Sequence, residues 1–85
     1  MKVLIPSPLR SYTVEKEVSA VGPTLDELLA DLDRQFPGIR FRVVDEQRRL
    51  RPHMRFFVNG EQVFELAHAL QPGDSIQIVQ ALSGG

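Results

Sequence analysis

Apolar positions change period along the chain, and each period predicts an element. "KVLIP" is a short β-type run that Pro6 ends. In "TVEKEVSAV", Val14, Val18 and Ala20 fall at even spacing, with Glu15, Glu17 and Ser19 between them. A period of two predicts a half-buried strand, joined to the first by a hairpin with a long loop. The period then lengthens. Leu25, Leu28, Leu29, Leu32 and Phe36 make one apolar stripe at helical spacing. Thr24, with Glu27 three residues on, is a capping box at its start. Asp26 and Glu27 lie where the helix dipole favours negative charge, and Pro37-Gly38 ends the helix.

The rest of the chain reads as strands and turns. "IRFRVVDEQRRLRPH" shows no regular period, and Phe41 and Val43 are its expected anchors to the core. "MRFFVNGEQVF" sets two apolar runs around Asn59-Gly60, the strongest short hairpin signal. Parity places Met54, Phe56 and Val58 inside and turns Phe57 outward beside Arg55. "ELAHALQ" predicts a short helical turn, "PGD" a turn, and "SIQIVQAL" a final strand. Ile76 and Ile78 then face inward, with Val79 and Ala81 on the outer face. The order β, β, α, β, β, β fits an α+β fold: a mixed sheet of about five strands, with first and last strands parallel at its centre and one main helix on one face. This is the β-grasp arrangement. Eighty-five residues make one domain, expected over 1–82, with 83–85 as a flexible carboxyl-terminal Gly-Gly tail.

Composition narrows the chemistry. A net charge of −1 gives no general attraction to nucleic acid or membranes. The start "MKVLIPSPLR" lacks the apolar region of a signal peptide, and no run approaches the ~20 apolar residues that span a bilayer. The absence of cysteine excludes a thiolate nucleophile, a disulfide framework and a cysteine metal site, and fits the cytoplasm. His53 and His68 lack the spacing of a metal pair, so no bound metal or cofactor is expected. Asp26, Glu27, Asp31 and Asp33 read as a solvated helix face. No catalytic motif is present, so the chain is not expected to be an enzyme.

Two features carry function. Arg40, Arg42, Arg48, Arg49, Arg51 and Arg55 gather six of the ten basic residues between positions 40 and 55. They read as a charged loop with pairs inside the domain, as a docking surface for an acidic protein, or as a nucleic-acid contact. The chain then ends in "QALSGG". Gly22, Gly38, Gly60 and Gly73 have local explanations in a helix boundary or a turn, but Gly84 and Gly85 close no turn and cap no helix. A glycine arm can thread a channel too narrow for a side chain, and it exposes a terminal carboxylate. An exposed Phe57 with Arg55, Val79, Ala81 and Leu82 would form the partner-binding surface beside it.

"FFVNGEQV" followed by "ALQPGDSIQIVQALSGG" resembles the ThiS/MoaD sulfur carrier proteins, ubiquitin-like β-grasp domains, over essentially the whole chain. Within that family "IPSPLRSYT", the helix and the arginine-bearing loop look most similar to the carrier of cysteine biosynthesis. The stretch Pro8-Leu9-Arg10-Ser11-Tyr12 and the run into Ser83 depart from the molybdopterin carriers, and thiamine carriers are typically shorter. The resemblance implies a protein co-substrate. A ubiquitin-activating-type enzyme would use ATP and magnesium to adenylate the Gly85 carboxylate, and a sulfur donor would convert it to a thiocarboxylate. Gly84 and Ser83 would give the tail access. A pyridoxal-phosphate-dependent cysteine synthase would accept the sulfur and a metalloprotease would release the product. Supply of molybdopterin, thiamine or another sulfur metabolite, or conjugation to lysines as a ubiquitin-like modifier, stays open on the same tail.

Overall fold

Met54, Phe56 and Val58 alternate with Arg55 and Phe57, and a strand so patterned needs a covered face and an open one. The computed structural model, which describes residues 1–81, builds its sheet around that strand and the last one. Strand β5 (Ser75–Gln80) lies between β1 (Lys2–Leu4), to which it runs parallel, and β3 (Met54–Val58), to which it runs antiparallel. β2 (Glu17–Ser19) and β4 (Glu61–Val63) add the edges, giving the order β2-β1-β5-β3-β4. Val3 pairs with Ile76, and Ile78 with Phe56, so one face carries a continuous apolar row.

Helix α2 (Leu25–Gln35) covers that row with Leu25, Leu28, Leu29 and Leu32, all buried. Its first amides are all accounted for. Leu25 and Asp26 donate to the carbonyls of His68 and Leu66, and Glu27 donates to Thr24 Oγ1. A helix start buried against a loop needs such partners. The expected cap, stripe and Asn59-Gly60 turn are all present, with Asn59 and Gly60 at positive φ as that hairpin requires.

Other expectations are corrected. The link between the first two strands is helical: a 3₁₀ turn (Ser7–Leu9) runs into α1 (Arg10–Thr13), and Leu9 and Thr13 are buried. Val14 is therefore no strand residue. It is 84% exposed at φ 66°, a conformation unfavourable for a β-branched side chain. The buried Thr13 hydroxyl donates to the Glu15 carbonyl at 2.6 Å and bends the chain there, so pairing begins only at Glu17.

The segment after Gly38 is also more ordered than its pattern suggested. Ile39–Val43 forms α3, with Ile39 and Val43 buried one turn apart. Val43 anchors the core as expected, whereas Phe41 lies 56% exposed on the other side. A five-residue helix is too short for its period to stand out. Asp33 caps it, accepting from the Gly38 and Arg40 amides. Asp26 holds both Arg40 and Arg48, and Asp31 accepts from the Val21 amide, Arg34 and Gln35. Only Glu27 of those four carboxylates keeps the plain solvated reading. Residues 65–70 form a hydrogen-bonded turn and an Ala69–Thr24 bridge, and no helical residue is assigned there.

Gly22 is required by space, because a Cβ built there would meet Leu28 N at 2.4 Å and Glu27 C at 2.7 Å. Those are backbone atoms and cannot rotate away. Gly22→Ala is expected to destabilise the domain by about 3 kcal/mol, whereas Gly73→Ala, with open space and only an unfavourable φ of 92°, costs about 1 kcal/mol. Thermal unfolding of both variants checks the ranking, and equal losses would contradict it.

Candidate functional site

The candidate site is the end of β5 and the surface around it. β5 is paired on both edges at the centre of the sheet, so its carboxyl end is a firmly held point from which a chain could leave. The Ala81 amide still donates to the His53 carbonyl, at 2.7 Å. Leu82, Ser83, Gly84 and Gly85 lie outside the described residues, and so does the expected boundary between domain and tail.

The outer sheet face brings together most of the predicted docking residues. Register sets Arg55 opposite Val79 and Phe57 opposite Gln77, and Leu4 is also opposite Gln77 from the other side. Leu4, Phe57 and Val79 thus share one face near the root of the tail. Phe57, Val79 and Ala81 are half-buried rather than fully exposed. Gln77 and Gln62, the cross-strand neighbours of Phe57, share its face and cover part of it. Leu4, 38% exposed, joins this surface without having been among the expected residues; the signal for it is the alternation in "KVLIP", which turns it away from Val3 and Ile5. The Arg55 guanidinium donates to the Pro52 carbonyl at 2.7 Å and lies along its own end of the strand.

Two hollows flank Gln80. One, about 530 Å³, is bounded by Leu4, Pro6, Ser7, Arg10, Lys16 and Val79 and continues the apolar face. The other, about 300 Å³, is lined by Phe41, Arg42, Arg51 and His53. His53 and His68 fall in different hollows, and no group of three or more metal-ligating side chains occurs among the described residues. No helix among those residues is long and apolar enough to cross a membrane.

The start of β5 is fixed by a polar clamp. Asp74 accepts from the Gln71 amide at 2.8 Å and from the Asn59 side-chain amide at 2.9 Å, while Asn59 Oδ1 accepts from the Ser75 amide. The Gln71 hydrogen bond foremost, then that of Asn59, holds the Asp74 carboxyl below its ordinary value, against a smaller opposing effect of desolvation. Asp31 is lowered too, chiefly by the Val21 amide.

The model of the family described as "ThiS family" matches residues 3–85. The sulfur carrier protein CysO of Mycobacterium tuberculosis (strain ATCC 25618 / H37Rv) is 39% identical over 89 residues, covering 98% of this chain and 96% of that protein. The crystal structure of Mycobacterium tuberculosis CysO superposes with a TM-score of 0.90 at 37% identity, over 95% of this chain and 98% of the other. A chain of the Amycolatopsis orientalis BexX/CysO complex gives 0.91 at 35%, over 99% and 98%. SAMP1 from Haloferax volcanii gives 0.82 at 25%, over 100% and 98%.

The clamp has a consequence in acid. Carboxyls held low in the folded state bind protons more weakly there than in the unfolded chain. Their stabilisation is complete above the unfolded value and is lost as pH falls through the folded one. Denaturation midpoints should stay level from about pH 7 to about pH 5 and fall below about pH 4. Asp74→Asn should be less stable at neutral pH and lose less between about pH 5 and about pH 3. An acid loss as large as that of the unmodified chain would contradict the assignment.

Proposed function

Because the chain belongs to the ThiS family, we propose that it is a sulfur carrier, that cysteine biosynthesis is the pathway it serves, and that Gly85 is the residue on which the sulfur travels. The observation that carries this reading is the 39% identity, over nearly the whole of both chains, to a protein named a sulfur carrier. The match of the family model through residue 85 supports the role of the terminal glycines.

The chemistry follows from the weakness of a carboxylate as an electrophile. An oxygen of the Gly85 carboxylate attacks the α-phosphorus of ATP, held with magnesium in an adenylating partner, and pyrophosphate leaves. Sulfur at the sulfide level, as hydrosulfide, then attacks the acyl carbon, the bond from that carbon to the phosphate oxygen breaks, AMP leaves with that oxygen, the sulfur's proton passes to water, and Gly85 becomes a thiocarboxylate. The sulfur is now a tethered nucleophile, which an acceptor enzyme can use without free sulfide being released. ATP stays with the activating enzyme. Pyridoxal phosphate would belong to a cysteine synthase that accepts the sulfur, and a metalloprotease would free the product. The carrier's own residues position the reactive end. β1 and β3 hold β5, and from Ala81 four residues reach at most about 14 Å, enough to enter a partner's site. Gly84 and Ser83 give passage, and Leu4, Phe57, Val79, Ala81 and Leu82 with Arg55 form the surface on which the partner closes.

Incubation with a ThiS-family activating enzyme, ATP and a sulfur source should replace one oxygen by sulfur in the terminal peptide, read by intact-mass and fragment mass spectrometry. Removal of Gly84 and Gly85 should abolish it. Phe57→Ala should fold and lower kcat/KM about tenfold, the effect of losing one interface anchor. Sulfur loading that persists without the two glycines would refute the assignment.

A further inference from the structure

Taking the identity of the partner from the sulfur-carrier reading, we propose that the groove lined by Phe41, Arg42, Arg51, His53 and Gln80 is a second docking point, which receives an acidic segment of the enzyme that works on the tail. The groove is separate from the apolar face. Gln80 follows Ile76 and Ile78 on the helix-facing side of β5, whereas Leu4, Phe57 and Val79 occupy the other side. The hydrogen bond from the Ala81 amide to the His53 carbonyl puts the groove at the root of the tail. An enzyme that encloses the tail therefore meets both surfaces.

Charge and preorganisation identify the occupant. Arg34, Arg40 and Arg48 each have an aspartate partner, while Arg42 and Arg51 have no ion pair among the described residues. Arg51 is held at two points: Nε donates to the Phe41 carbonyl at 2.9 Å, and the guanidinium lies 4.8 Å from the Phe41 ring centroid. Phe41, on the face of α3 opposite the buried Ile39 and Val43, is the platform for that cation. A guanidinium fixed in advance loses little further freedom on binding, and its fork suits a carboxylate. The two terminal guanidinium nitrogens of Arg51 make no hydrogen bond among the described residues. The Phe41 face is already taken by Arg51, and the net charge of the chain is −1, so a stacked nucleic acid fits poorly. Asp74 lies at the opposite end of β5 and belongs to a different hollow, so it does not neutralise the cationic end of the strand.

The test is a titration of the ¹⁵N-labelled full chain with acetyl-Asp-Glu-Asp-Glu-amide and, separately, with inorganic phosphate. Saturable peptide shifts are expected at Arg42, Arg51, His53 and Gln80, lost in the doubly substituted R42E/R51E chain and kept in R34E. Shifts spread equally over Arg34, Arg49 and Arg55, or none at all, would overturn the proposal. Phosphate saturating the groove at lower concentration than the peptide would overturn it in favour of a small anion. Much tighter peptide binding after removal of Gly84 and Gly85 would assign the groove to the chain's own terminus instead. In sulfur loading by the activating enzyme, R42E/R51E should lower kcat/KM about tenfold with kcat unchanged, and reduce its salt dependence. Normal loading of R42E/R51E removes the groove and leaves the carrier reading intact. No loading of the unmodified chain, with peptide still bound, removes the carrier reading and leaves the groove.

Discussion

β5 has a hydrogen-bonded neighbour along each edge, β1 in parallel and β3 antiparallel, and the rest of the molecule depends on that double pairing. A parallel pair cannot be closed by a tight turn, so the chain between β1 and β5 has to travel across the sheet. In doing so it lays down the helix that covers the apolar face. The same pairing places the chain's last strand at the centre of the sheet rather than at an edge. A segment leaving from there starts at a held position, with a different surface on each side.

Those two surfaces have different physical origins. The outer face follows from strand parity: residues between the core positions of β1, β3 and β5 have nowhere else to point. Leu4, Phe57 and Val79 form an apolar patch among Gln62, Gln77 and Arg55. The groove on the other side follows from the arginine-rich segment. Four of its six cations form two pairs with different roles. Arg40 and Arg48 are drawn to Asp26 and tie α3 and the following loop to the start of α2. The Arg40–Asp26 pair is half-buried, whereas the exposed Arg48 contributes about 0–1 kcal/mol and orients the segment more than it stabilises it. Arg42 and Arg51 are left facing the groove at the end of β5. The near-neutral total charge conceals this local concentration.

The long-period elements were legible because each carried several agreeing signals. α2 had its stripe, its capping box and its stop, and the β3–β4 hairpin had alternation plus Asn59-Gly60. The sheet order followed, and with it the face occupied by Phe57 and Val79. The two short helices were not legible. α1 and α3 are too brief to show a period, so Val14 was read into a strand and Phe41 into the core. The carboxylates of α2 looked solvated because their partners, the Val21 amide, Arg40 and Arg48, come from other parts of the chain and meet them only in three dimensions. The groove was hidden for the same reason: Arg42, Arg51 and Gln80 are neighbours only in the fold. The tail was legible only as a motif, since Leu82 to Gly85 lie beyond the described residues.

The central claim is that the fold presents one reactive group, the Gly85 carboxylate, to an adenylating enzyme. The most direct measurement compares the chain with a semisynthetic copy whose only change is a carboxamide at Gly85. The readout is ATP–pyrophosphate exchange by the activating enzyme. The free carboxylate is predicted to support exchange and the carboxamide none, with identical ¹⁵N spectra for the folded domain. Equal exchange by both chains would contradict the account.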